Sequence, residues 1–149
     1  MRLSDIMTTR VETIAENESA SVAWERMRQK RIHHLVVTRR GEVVGVVSAR
    51  DLGGRLGDSV RSNRTVGEVM TPYAVTADPR ATVRQAANML RGRGIGSLPI
   101  VERGRLLGIV TVADLLELIG RGVERPVVLR ERRHRRPSVN QKGANRSWR

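Results

Sequence analysis

Apolar and polar positions along the chain fall into two patterns. Val22, Ala23 and Met27, and later Val83, Ala86, Ala87 and Leu90, recur at helical spacing, which puts an apolar stripe on one side of a helix of about three turns. Ser19 and Thr82 stand just ahead of these stripes. A hydroxyl there accepts from the free amides of the first turn, so each is placed as an N-cap. Two short apolar runs follow, His34 to Thr38 and Ser97 to Val101. Turns containing glycine, Arg39 to Glu42 and Glu102 to Arg105, join them to Val43–Val47 and Leu106–Val110, a pattern that predicts two β-hairpins. Ser48 and Thr111 are then placed as caps of a second helix in each half, Ala49 to about Leu56 and Val112 to about Gly120. The predicted order is strand, helix, strand, strand, helix, repeated once, which is an α+β fold.

The repetition is internal to the residues themselves. Residues 3–52 lie on residues 66–115 at a constant shift of 63 positions without a gap. Met7 falls on Met70, Thr8 on Thr71, Ala23 on Ala86, Leu35 on Leu98, Gly45 on Gly108, Asp51 on Asp114 and Leu52 on Leu115. Glycines, apolar positions and the acid keep one register, which marks a tandem duplication. The expected division is residues 1–60 for the first repeat, 64–121 for the second, and 122–149 for a basic tail, with a short polar linker from Gly57 to Arg64.

Composition narrows the chemistry. The 149 residues hold no cysteine, no phenylalanine, two Trp and one Tyr, so Val, Ile, Leu, Met and Ala must fill the core. Without cysteine there is no disulfide framework, thiolate zinc site or cysteine nucleophile. No cluster of His and carboxylates at metal spacing stands out, and the acids lack a base or nucleophile partner. No catalytic or metal site is expected, and an enzyme is the poorest of the readings. Apolar runs fall far short of the roughly 20 residues that span a bilayer, and the polar start carries no signal-like segment; a soluble, cytoplasmic protein without a membrane partner is expected. The net charge of +13 suits nucleic acid or phosphorylated ligands. More than half of it sits in residues 123–149, with nine basic and two acidic residues. Only Lys30 and Lys142 are lysines, so a bias towards Arg codons explains the charge as well as a selected partner does.

The residues resemble the cystathionine β-synthase domain, the CBS domain, present twice as the pair known as a Bateman module. The carriers are the openings Asp5-Ile-Met-Thr8 and Glu68-Val-Met-Thr-Pro72, the segments Ile32-His-His-Leu-Val-Val37 and Ile95-Gly-Ser-Leu-Pro-Ile-Val101, and the closings Gly45 to Asp51 and Gly108 to Asp114. The resemblance covers residues 1 to about 121. It implies two repeats packed with pseudo-twofold symmetry and a regulatory module that binds an adenosine compound in clefts between them. AMP, ADP, ATP, S-adenosylmethionine and NAD(H) are the ligands it suggests, with no cofactor required. It also implies a homodimer formed through the CBS helices, with output through a regulated partner protein.

Candidate site residues follow from both lines of reasoning. A hydroxyl that ends a strand and opens a helix lies with unpaired amides at the positive end of the helix dipole, which suits an anionic oxygen. Ser48 and Thr111 sit there. One turn later, Asp51 and Asp114 present carboxylates able to accept the hydroxyls of a ribose. The resemblance assigns phosphate to the hydroxyls and ribose to the acids; pure capping is the alternative. His33, His34 and Arg50 in the first repeat stand where the second has Gly96, Ser97 and Ala113. The expectation is a more basic cleft formed by the first three, with room and less charge at Gly96 and Ser97, and a histidine partly protonated near neutral pH. The competing expectation puts one ring in the buried face of the strand and the other in solvent. Pro99, in the second of the resembling segments, is counted with the ligand-binding residues.

Two features stand apart. Trp24 lies off the main apolar stripe, as either a dimer-face residue or a partly exposed surface ring. The segment Arg130 to Arg149, rich in Arg and poor in apolar residues, has the composition of a solvated tail. With Trp148 as a stacking group it is also suited to RNA or DNA. That gives the alternative function, a nucleic-acid- or ribosome-associated factor in which the repeat pair is a dimerising scaffold.

Overall fold

The computed structural model describes residues 1–72 and 74–122. The elements run α1 (Leu3–Ile6), β1 (Thr13–Ala15), α2 (Ala20–Lys30), β2 (His34–Arg39), β3 (Glu42–Ser48), α3 (Asp58–Arg61), α4 (Val66–Val69), β4 (Thr71–Pro72), α5 (Val83–Arg93), β5 (Ser97–Glu102), β6 (Arg105–Thr111) and α6 (Val112–Gly120). Ser19 caps α2 by accepting from Ser21 N, and Thr82 caps α5 by accepting from Gln85 N. Both hairpins form. Their turns place Arg40 and Gly41, and equally Arg103 and Gly104, at positive φ, the geometry that matches the twist of the flanking strands.

Each repeat has its own apolar core, and the two cores correspond position by position. Ile14, Ala23, Met27, Leu35, Val37, Val47 and Leu52 fill one; Ala77, Ala86, Leu90, Leu98, Ile100, Val110 and Leu115 fill the other. The remaining pair is crossed. Val66 completes the first core and Leu3 the second. The lead segment of each repeat thus packs on the other repeat: Leu3 N donates to Ala81 O, while Val66 N donates to Glu18 O. Edge pairing is exchanged in the same way. β4 pairs antiparallel with β3 of the first repeat, and Thr8 bridges Ile109 of the second. Where the exchanged backbone passes, only glycine fits. A Cβ on Gly45 would lie 2.7 Å from Thr71 O, and one on Gly108 would lie 2.9 Å from Thr8 O. The division at residues 60 and 64 therefore follows chain order, whereas packing groups residues 1–8 with the second repeat and residues 65–72 with the first.

The predicted helix from Ala49 to Leu56 does not form. Leu52 N donates to Ser48 O, one helical bond, and then Gly53 N donates to Arg50 O and Gly54 N to Ala49 O. This paired closure ends a helix at a left-handed residue, and Gly53 has φ +84°. A 3₁₀ turn, Gly54–Leu56, and the single-turn α3 follow. The second repeat carries Leu116 and Glu117 where the first has Gly53 and Gly54, and there α6 runs its full nine residues. Each glycine inside a helix costs about 1 kcal/mol relative to alanine, and two in succession stop propagation.

Candidate functional site

The hydroxyl–acid pairs form reciprocal caps in both repeats. Asp51 N donates to Ser48 Oγ at 3.1 Å and Ser48 N donates to Asp51 Oδ2 at 2.9 Å. In the second repeat Asp114 N donates to Thr111 Oγ1 at 3.2 Å and Thr111 N to Asp114 Oδ2 at 2.8 Å. Capping is thus real, yet it uses only one oxygen of each carboxylate. Among the described residues, Oδ1 of neither acid has a hydrogen-bond donor, and no polar side-chain atom is buried without a partner. Each acid therefore keeps a second acceptor outside the cap and lines a cleft.

That space is a pair of clefts, related by the same shift of 63 positions as the sequence. The larger, about 460 Å³, is lined by Ser48, Arg50 and Asp51 from one repeat and by Thr71, Gly94, Gly96 and Ser97 from the other half of the chain. The smaller, about 350 Å³, joins Thr111, Ala113 and Asp114 to Thr8, Arg10, Glu12 and Arg31. Volumes of this order suit a small organic ligand. Exchange of the lead segments brings Thr8 and Thr71 to the cleft rims. The sequence reading missed Thr8, Arg10, Glu12, Arg31 and Thr71 as lining residues; the repeated Met-Thr pair ahead of each first strand was the signal.

The two histidines occupy the seam between the clefts. His33 and His34 line both, as does Gly96. A Cβ on Gly96 would stand 3.0 Å from His34 Nε2, so the ring of the first repeat presses directly on the backbone of the second. This corrects the expectation of a more basic cleft built from His33, His34 and Arg50, because the imidazoles serve both sides. The remaining charges balance in each cleft: Arg50 faces Asp51 in one, while Arg10 and Arg31 accompany Glu12 and Asp114 in the other. His33 is exposed and His34 half-buried. Burial, reinforced by His33 and opposed by Asp51 and Asp114, holds His34 below its ordinary value of 6.5. That shift favours the neutral imidazole at His34. Ser97 is buried at the edge of the larger cleft. Pro99 lines neither cleft: alternation along β5 turns it onto the same face as Ser97, but its side chain is fully buried there.

The helix dipole invoked for both hydroxyls exists on one side only. α6 starts at Thr111, whereas Ser48 opens a run of turns. At the Ser48 end a cation, Arg50, lines the cleft instead. Trp24 is half-buried against the first core, with the Arg61 guanidinium 4.3 Å from its ring centroid. Among the described residues no group of three or more His, Cys, Asp and Glu is placed to hold a metal ion, and no helix is long and apolar enough to cross a membrane. The basic segment from Val123 onward, with Trp148 and the nucleic-acid reading that rests on it, lies outside the described residues.

Paired clefts between two exchanged repeats, each with a capped acid at its wall, define a tandem ligand-cleft module. The chain belongs to the CBS domain family, whose model matches residues 3–56 and 66–121. It is 32% identical over 114 residues to the CBS domain-containing protein YhcV of Bacillus subtilis, covering 76% of this chain and 81% of that protein. A homoserine O-acetyltransferase of Methanohalobium evestigatum is 33% identical over 119 residues, 78% of this chain but 24% of that enzyme. Among solved structures, the CBS domain pair of protein MJ0100, in complex with 5′-methylthioadenosine and S-adenosyl-L-methionine, is similar with a TM-score of 0.75 and 26% identity. That match covers 83% of this chain and 98% of the other.

Proposed function

We propose that the chain is a regulatory binding protein that takes up an adenosine nucleotide or adenosyl compound in its two clefts and passes occupancy to a partner protein. The observation that carries this reading is the division of labour within each carboxylate. Oδ2 of Asp51 and Asp114 is committed to the cap, which fixes the side chain, and Oδ1 is left to accept from a ribose hydroxyl. The capping hydroxyls of Ser48 and Thr111 accept from backbone amides and keep their own protons to donate. An anionic ligand group meets the start of α6 on one side and Arg50 on the other. The adenosyl ligands bound by the MJ0100 pair support this ligand class. A second copy of the chain is proposed to cover the exposed Leu116 and Ile119 of α6, because apolar side chains adjoining on one helix face are a common mark of an interface; light scattering after size exclusion reads the oligomeric state directly.

A thermal-shift series with AMP, ADP, ATP, S-adenosylmethionine, 5′-methylthioadenosine and NADH tests the ligand class. A ligand at about 100 times its Kd adds roughly 2.7 kcal/mol of stability. Replacing Asp51 and Asp114 with Asn keeps an oxygen for the cap and turns an amide donor towards the ribose. The double variant is expected to keep its melting temperature without ligand and lose the shift. An unchanged shift in that variant removes the acids from the site, and no shift with any of these compounds in the unaltered protein removes the ligand class.

A further inference from the structure

We propose that the first repeat carries a further anion site beside the clefts, with which it shares Arg31, Ile32, His33 and Ala49, suited to a compact ligand with two or more linked phosphates and held by Arg28, Arg31 and Arg55. A hollow of about 650 Å³ lies there, with these three arginines, His33 and Trp24 in its wall over an aliphatic floor, and no carboxylate lines it. Arg31 and Arg55 make no ion pair among the described residues. Arg28 reaches Glu25 only at 3.6 Å, with both side chains well exposed, an arrangement that gives little stabilisation. Three guanidiniums around one concavity whose own wall holds no carboxylate repel one another and are relieved by an anion, although Arg31 also reaches the smaller cleft, where Glu12 and Asp114 lie. Their planar forks match phosphate oxygens in pairs. A concave site of this size favours a compact polyanion over an extended strand.

Two further observations indicate a built site. Arg31 ends α2 in the left-handed conformation, φ 52° and ψ 45°, where the second repeat has Gly94 at φ 61°. Glycine is the default at that position because a side chain is strained there; the first repeat bears that strain and gains a guanidinium over the hollow. The wall is also pre-organised. Arg61, 4% exposed, donates to Leu52 O and Gly54 O and stacks on Trp24, so one buried cation fixes both the indole and the turn that carries Arg55. The second repeat has Ala87, Gly94, Gly96 and Leu118 in place of Trp24, Arg31, His33 and Arg55, so of the three arginines only Arg28 has a counterpart, Arg91.

Calorimetric titration of the full chain with inorganic tripolyphosphate tests the site. Arg55 lines neither cleft and is the decisive residue; Arg55→Leu reproduces Leu118, and Arg31→Gly reproduces Gly94. Saturable binding is expected, and each substitution is expected to weaken it by about tenfold or more, the usual effect of losing a charged hydrogen-bond donor. The melting temperature should be unchanged for Arg55→Leu and unchanged or higher for Arg31→Gly. The Asp51→Asn, Asp114→Asn double variant should bind tripolyphosphate as tightly as the unaltered chain. Absence of saturable binding overturns the proposal, as does wild-type affinity in Arg55→Leu, which would assign the binding to other basic residues. A changed affinity in the double Asn variant, above all a gain from removing two repelling carboxylates, overturns it by placing the anion in the clefts. Failure of the adenosyl ligands to bind leaves each of these outcomes readable.

Discussion

The two repeats begin their closing segments identically and finish them differently. Ser48 with Asp51 and Thr111 with Asp114 make the same pair of capping bonds, yet only Thr111 is followed by a helix of more than one turn. A good cap initiates a helix and does not extend it. The residues that follow decide: Leu116 and Glu117 sustain α6, while Gly53 and Gly54 close the chain after a single turn. The consequence reaches past the backbone. One repeat presents an apolar helix, with Leu116 and Ile119 exposed. The other presents a turn held by a buried arginine beside a basic hollow. Duplication supplied two corresponding clefts, and divergence after the shared caps made the two repeats chemically unlike.

The largest expected effect comes from breaking the exchange that builds both clefts. Leu3 is fully buried in the core of the second repeat, so Leu3→Ala should cost about 2–5 kcal/mol. Hydrogen exchange should quicken in the β5–β6 hairpin far more than in β2–β3. Faster exchange confined to β2–β3 would show that the lead segment belongs to its own repeat. Next are the crossing glycines. Gly45→Ala and Gly108→Ala each drive a methyl group towards a backbone carbonyl, at about 1–3 kcal/mol each by denaturant titration. Equal losses at the two sites would confirm that the crossings are equivalent, and no loss at either would mean that the exchanged strands are loosely held.

The smallest effect concerns the shared histidine. Because burial depresses the His34 value below 6.5, the unfolded chain binds the proton more tightly than the folded one. Its contribution to stability is present above pH 6.5 and is lost as pH falls from there through the lowered folded value. His34→Ser, which installs the residue of the second repeat, should flatten the fall in melting temperature between about pH 7.5 and about pH 5.5. His33, Asp51 and Asp114 act on the ring and are present in both proteins, so the difference between the two curves isolates His34. Superimposable curves would remove His34 from the pH response.

Much of the fold was legible in the residues because its causes are local. Caps at Ser19 and Thr82, both hairpins and α6 rest on hydrogen bonds and apolar spacings within a few positions, and all lie where the pattern put them. The helix expected after Ser48 failed for a reason equally local, since Gly53 and Gly54 stop what the cap begins. The acids of the candidate site stand out in the sequence because the duplication prints them twice.

What the sequence could determine alone was the repeated unit, its hairpins and the hydroxyl–acid motif, since each is set by neighbours along the chain. Tertiary structure alone decided that Leu3 and Val66 change places, that His33 and His34 serve both clefts, that Pro99 is buried away from them, and that Arg61 locks Trp24 beside Arg55. In a duplicated chain the two copies offer nearly equivalent apolar surfaces, so periodicity cannot tell which copy a segment will complete. Backbone crossings at Gly45 and Gly108 and the fit of one ring against Gly96 settle that choice, and they exist only once the repeats have met.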